Sequence, residues 1–102
     1  MIVSVIYPKT ETSTFDHTYY VQKHVPLVNE LWGHHGMRGV QVLRGTGSLG
    51  GAAAYELIAL LDFESNEAFL AAAGAHADDV MGDIPHFTNI QPIVQFNEPV
   101  AL

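Results

Sequence analysis

The 102-residue chain contains no cysteine. That absence excludes disulfides, thiolate metal sites, iron–sulfur ligation and a cysteine nucleophile, and it suits a reducing compartment, so the cytoplasm is the expected location. Basic side chains are nearly as scarce. Lys9, Lys23, Arg38 and Arg44 stand against eleven acids, no Lys or Arg follows Arg44, and the net charge is −7. So acidic a chain repels phosphate backbones, and nucleic acid is not an expected partner. A highly charged anionic ligand would have to find its clamp among those four side chains, so a neutral or weakly acidic small organic ligand is the better match. Long apolar runs are missing too. The opening MIVSVIYP has only strand length and no basic leader, which predicts neither a signal peptide nor a membrane span.

At this length one hydrophobic core is expected, as a single domain over residues 1–102. Met1 to Pro8 alternates, with Ile2, Ser4 and Ile6 on one face and Val3, Val5 and Tyr7 on the other, predicting a strand apolar on both sides. Thr10 to Thr14 is a polar turn, and Thr14 or Asp16 can cap a helix running to about His34, with Gly33 and Gly36 as the stop. A second strand covers Met37 to Arg44, Gly45 to Gly51 forms a loose hairpin loop, and Tyr55, Leu57, Ala59, Leu61 and Phe63 alternate through a third strand. The Ala, Leu and Glu content of 52–63 would also suit a helix, but the helix cap Ser65 follows at once, which favours strand. The second helix turns Phe69, Ala73, Ala77, Val80 and Ile84 inward and ends at Gly82 and Pro85, and Phe87 to Glu98 predicts a fourth strand.

The order βαββαβ is the ferredoxin-like α+β arrangement, a four-stranded antiparallel sheet with two helices on one face. The opposite face is apolar and uncovered. A second copy is expected to cover it, giving a homodimer whose two sheets form a dimeric α+β barrel.

Two patterns invite a cofactor or a metal. Gly45, Gly47 and Gly50 spell GxGxxG, but the dinucleotide fingerprint needs a loop that opens a helix and is followed by a parallel strand ending in an acid. A hairpin supplies neither, so no cofactor is expected. Among the histidines, His17 and His24 stand two turns apart, about 10 Å along a helix. His34 and His35 point apart, and His76 with Asp79 lacks a third ligand, so no metal is expected either. Ser4, Ser13, Ser48 and Ser65 lie outside any nucleophile-elbow context, which argues against acyl-enzyme chemistry.

The candidate chemistry lies in FDHTYYVQKHVPLV, Phe15 to Val28. Helical period brings Phe15, Tyr19, Tyr20, His24, Leu27, Val28 and Leu31 onto one stripe, which sets an imidazole among residues expected to be buried. Pro26 lacks the amide that would bond the Gln22 carbonyl, so a bend is expected just past His24, with a freed acceptor beside the ring. His24 can take and return a proton near neutral pH, and Tyr20, one turn earlier, can steady a developing oxyanion. Tyr7 at the end of the first strand, with Asp83 and His86 on the turn into the fourth, are further substrate-pocket candidates. The competing role for His24 is structural, pinning the bend.

The same run, together with DIPHFTNIQPIVQ at Asp83 to Gln95, resembles the EthD family of small dimeric α+β barrel proteins over essentially the whole chain. His24, Pro26 and Leu27, spelling HxPL with Tyr20 one turn before, carry the resemblance. It implies the same ferredoxin-like homodimer. The family is named for a protein associated with ethyl tert-butyl ether degradation, and related proteins are described as cofactor-free lyases, isomerases or decarboxylases on lactones and aromatic polyketides. Three expectations follow. The foremost is a protein that binds a small organic molecule in a catabolic pathway, such as ether or xenobiotic degradation, with His24 as the polar anchor. The second is a cofactor-independent isomerase, decarboxylase or monooxygenase with His24 as general base and Tyr20 steadying the enolate. The third is an interaction module whose dimer is its purpose.

Overall fold

Four strands form one antiparallel sheet in the computed structural model, which describes residues 1–102. They are β1 (Ile2–Pro8), β2 (Met37–Arg44), β3 (Tyr55–Phe63) and β4 (Ile93–Asn97), in the spatial order β2-β3-β1-β4. Helix α1 is a run of four helical segments: an α-turn His17–Tyr19, a π-helical turn Tyr20–His24, an α-helix Val25–Trp32 and a 3₁₀ turn Gly33–His35. Helix α2 (Asn66–Asp83) continues into a 3₁₀ turn, Ile84–His86. This is the ferredoxin-like α+β fold.

Strand register sorts the side chains into rungs, because directly paired residues of antiparallel strands share a face. Val40, Leu61, Val3 and Phe96 form one rung, and Val42, Ala59, Val5 and Val94 the next. The helices lie against this face. Here Val3 and Phe63 are fully buried, and Trp32 of α1 meets Phe63 and Phe69 edge-on at centroid distances of 6.0 and 5.7 Å. On the other face, Leu43, Ile58, Ile6 and Ile93 align as an apolar rung across all four strands, with no helix over them.

The helix ends follow local chemistry. Asp16 caps α1, its carboxylate accepting from the Tyr19 amide at 3.0 Å, while Ser65 caps α2 by accepting from the Ala68 amide at 3.1 Å. Gly36 ends α1 with φ +93°, the left-handed geometry that glycine adopts without strain. The loop after β2 runs into strand β3 and opens no helix, so GxGxxG here lacks the anion-binding helix terminus of the fingerprint. Gly45 is required sterically, since a Cβ there would stand 2.1 Å from the Tyr55 carbonyl oxygen. No helix is long and apolar enough to cross a membrane.

Two local expectations need correction. The break caused by Pro26 takes the form of the π-helical turn, in which the Val25 amide donates to the Tyr20 carbonyl five residues back. Widening the turn relieves the clash between the proline ring and the preceding carbonyls. Strand β4 begins at Ile93 rather than Phe87. Residues 87–90 are held instead by Thr88, whose hydroxyl donates to the Thr14 carbonyl at 2.6 Å and accepts from the Ile90 amide at 3.0 Å, and Pro92 has no amide for a ladder. On α2, the expected inward stripe holds, since Phe69, Ala73, Ala77, Val80 and Ile84 all face the space between helices and sheet, and Ala72 joins them fully buried. His76, at φ −137° and ψ 20°, interrupts the helical geometry.

Candidate functional site

Two hydrogen bonds fasten the start of α1 to the turn that follows α2. The Asp16 amide donates to the Phe87 carbonyl at 2.7 Å, and the Thr88 hydroxyl to Thr14 as described. The end of α2 is thereby set against the first turns of α1. Within that seam His24 is only 5% exposed, and its Nδ1 lies 3.0 Å from Asp83 Oδ2. The other carboxylate oxygen, Asp83 Oδ1, accepts from the Tyr19 hydroxyl at 2.7 Å. Asp83 is the last residue of α2, where the helix dipole disfavours a negative charge, and its two donors offset that. The imidazole packs near-parallel on Tyr20 at 5.3 Å and against Phe87 at 4.7 Å.

A cavity of about 100 Å³ opens beside the imidazole, between the helices and the sheet. Val28 and Trp32 of α1, Ala59 and Leu61 of β3, and Val80 and Met81 of α2 form much of its wall. His24, Tyr20, Tyr7 and Trp32 are the lining residues whose side chains carry polar atoms, and no Lys, Arg, Asp or Glu borders it. The Tyr7 and Tyr20 rings meet edge-on at 6.2 Å. Within the chain, neither tyrosine hydroxyl has a hydrogen-bond partner, and His24 has only Asp83. Trp32 Nε1 is buried without an acceptor.

Burial lowers the pKa of His24, because desolvation of the imidazolium outweighs the support that Asp83 gives it by hydrogen bond and charge. For Asp83, burial works towards a higher value, but the hydrogen bonds from Tyr19 and His24 and the charges of His24 and His86 prevail and hold it below the usual carboxylate range. Burial pushes Tyr20 up to about 12, and raises Tyr7 as well, with Tyr20 adding to the effect. At neutral pH the site therefore holds a neutral imidazole and two protonated phenols. The bond to Asp83 assigns the imidazole proton to Nδ1, which leaves the Nε2 lone pair free. A base oriented by a carboxylate is the arrangement used for proton abstraction, and the phenols can donate to an oxygen that gains charge.

A pH dependence follows. Since the folded chain holds His24 below its ordinary value of 6.5, the unfolded chain takes up a proton there that the folded chain refuses. This contribution to stability is full above pH 6.5 and is lost as the pH falls through the lowered value. Urea denaturation between about pH 7.5 and about pH 5 should show wild type losing stability more steeply than His24→Phe, which has no such proton to gain.

The structure brings Tyr7, Tyr20 and His24 to one cavity and sets Asp83 behind His24. The partner of His24 is thus Asp83 and not a carbonyl freed by Pro26. His86 sits outside the cavity, exposed on the 3₁₀ turn and stacked on Tyr19 at 6.2 Å. His17 pairs with Glu56 at 2.7 Å, and His76 with Asp79 at 3.3 Å. Tyr19 and Trp32 join the site without a local sequence signal for it. An acid at a helix C-terminus, at odds with the dipole, was the available signal that Asp83 had donors to find.

This sheet with its two helices places the chain in the ferredoxin-like α+β class. It is 33% identical to an EthD-like protein from Ralstonia eutropha JMP134, across 98% of this chain and 91% of that one, with a TM-score of 0.90. The chain belongs to the EthD family. An ethyl tert-butyl ether degradation (EthD) family protein from Bacillus halodurans C-125 shares the fold at 19% identity, across 95% of this chain and 97% of that one, with a TM-score of 0.65. A dimeric ferredoxin-like protein from an uncultured marine organism shares it at 7% identity, across 100% and 99%, with a TM-score of 0.51. No family model matches the sequence, and no curated protein matches it.

Proposed function

We propose that this protein binds a small, mostly apolar organic molecule bearing one hydroxyl, phenol or enolisable carbonyl, as part of a cytoplasmic catabolic pathway. One observation carries the reading: an apolar cavity of about 100 Å³ whose one imidazole has a carboxylate on its far nitrogen and no partner within the chain on the near one. Dry apolar cavities of comparable size, ~150 Å³, take up a single benzene ring, which sets the scale of the ligand. A carboxylate ligand would meet no cation at the cavity wall, so the bound species is uncharged. The ether degradation in the relatives' family name suits a ligand of this polarity. Phenol and cyclohexanone are suitable first probes, and each should raise the melting temperature of the wild type.

A second reading, proton transfer on the bound molecule without a cofactor, is favoured by the His24–Asp83 pair. Nε2 would take a proton from the carbon next to a carbonyl, the electron pair would move to the carbonyl oxygen, and Tyr20 or Tyr7 would donate to that enolate. Return of the proton to another carbon completes an isomerisation. Exchange of the α-hydrogens of cyclohexanone in D₂O, followed by NMR, would report the first half of that sequence.

The protein acts as a homodimer on this reading, with the open sheet face as the interface. The support is the apolar rung Leu43, Ile58, Ile6 and Ile93, of which Leu43 and Ile93 are 43% and 54% exposed. Light scattering at micromolar concentration should give twice 11.1 kDa for the wild type and the single-chain mass for Ile58→Asp, which buries a charge at the centre of that rung. A wild-type monomer would refute the dimer.

A further inference from the structure

We propose that Tyr19 is a positioning residue which, through Asp83, sets how readily His24 accepts a proton. This rests on the reading of His24 as the group that meets the ligand. Tyr19 is held at both ends. Its amide is bound by the Asp16 carboxylate at 3.0 Å, and its ring lies near-parallel to His86 and Phe87, with interplanar angles of 26° and 22°. The hydroxyl is therefore delivered to one place, Asp83 Oδ1 at 2.7 Å, while Oδ2 stays on His24 Nδ1. A phenol that donates to one carboxylate oxygen fixes the plane of the group and draws charge from it.

The surroundings leave few other groups to exert this control. The titratable groups around His24 and Asp83 are Tyr7 from β1, Tyr19 and Tyr20 from α1, and His86 from the turn after α2. At the cavity, the other three strands contribute only Val40, Ala59, Leu61 and Val94, none of which titrates. The charge that His24 meets is thus that of Asp83, moderated by whatever bonds Asp83. With Tyr19 in place the carboxylate stabilises the imidazolium less, and His24 remains an unprotonated base over a wider range of pH. The donor function belongs to the hydroxyl alone, because Tyr19→Phe preserves the ring that packs on His86 and Phe87.

A ¹⁵N NMR titration of the His24 ring in the ligand-free protein tests this. Tyr19→Phe should raise the His24 pKa, and the same change made on Asp83→Asn should leave it where Asp83→Asn alone puts it. An unchanged or lowered pKa in Tyr19→Phe, or an equal rise in both backgrounds, would overturn the proposal, since a purely structural tyrosine would move the melting temperature without moving this titration. Should Tyr19→Phe fail to fold, 3-fluorotyrosine at position 19 keeps the ring and strengthens the donor. It should lower the His24 pKa, and no change would count against the proposal. No ligand is needed, so a failed titration leaves ligand binding standing, and a failed ligand screen leaves the titration standing.

Discussion

Alanine in place of His24 is expected to abolish the stabilisation given by phenol and to slow the α-hydrogen exchange of cyclohexanone by ~10²–10⁴-fold, the usual worth of a positioned general base. The reasoning starts from the cavity wall. It is apolar apart from the imidazole, two phenols and the Trp32 indole, which can only donate, and burial keeps Tyr20 and Tyr7 protonated, so His24 is the one group there able to accept a proton near neutral pH. The substitution also enlarges the cavity. Benzene, which needs only space, should bind the variant at least as well as the wild type, while phenol loses its acceptor. That contrast separates loss of the anchor from general collapse. The variant should also be about 1–3 kcal/mol less stable, because Asp83 loses a hydrogen-bond donor at a largely buried position. Parallel thermal shifts with the two compounds read both effects.

Phe63→Ala is expected to remove about 3–5 kcal/mol of folding stability, the range for deleting a fully buried aromatic ring. Phe63 is 0% exposed, ends β3, one of the two inner strands, and meets Trp32 and Phe69 edge-on at 6.0 and 5.2 Å. Those two rings also line the cavity, so the void left behind would join the cavity wall. Against the roughly 5–15 kcal/mol that holds a typical domain together, the loss is large. Urea denaturation followed by tryptophan fluorescence suits the test, because Trp32 is the only tryptophan and touches the deleted ring. Leu70→Ala, on the exposed side of α2 at 60% exposure, should stay within about 0.5 kcal/mol of wild type.

These two expectations differ in how far they could be read from the amino-acid order. Phe63 is the end of a period-2 alternation, and strands β1, β2 and β3 are where alternation and turn residues put them, because a half-buried strand must write its burial into its pattern. Likewise, His24, Tyr20 and the approach of Tyr7 were legible from helical spacing and strand position. Two things were not. The start of β4 depends on Thr88 bonding to Thr14, a contact 74 residues apart that no local propensity encodes. The partner of His24 is likewise a tertiary matter. The local chain offers the carbonyl that Pro26 frees, whereas the helix absorbs the proline in a π-turn and the packing of α2 brings Asp83, 59 residues away, to Nδ1. The role of Tyr19 is tertiary for the same reason. Spacing placed it on the apolar stripe, and only the seam between the helices shows that its hydroxyl is engaged.

The central claim is that the cavity at His24 is a binding site for a small uncharged organic molecule. A thermal-shift screen of wild type and His24→Ala at matched concentration, against phenols, lactones, cyclic ketones, tertiary alcohols and ethers, addresses it most directly, because a ligand that binds only the folded state raises its melting temperature. The account predicts at least one compound that stabilises wild type and not the variant; a screen in which no compound stabilises wild type, or in which every hit stabilises both proteins equally, would contradict it.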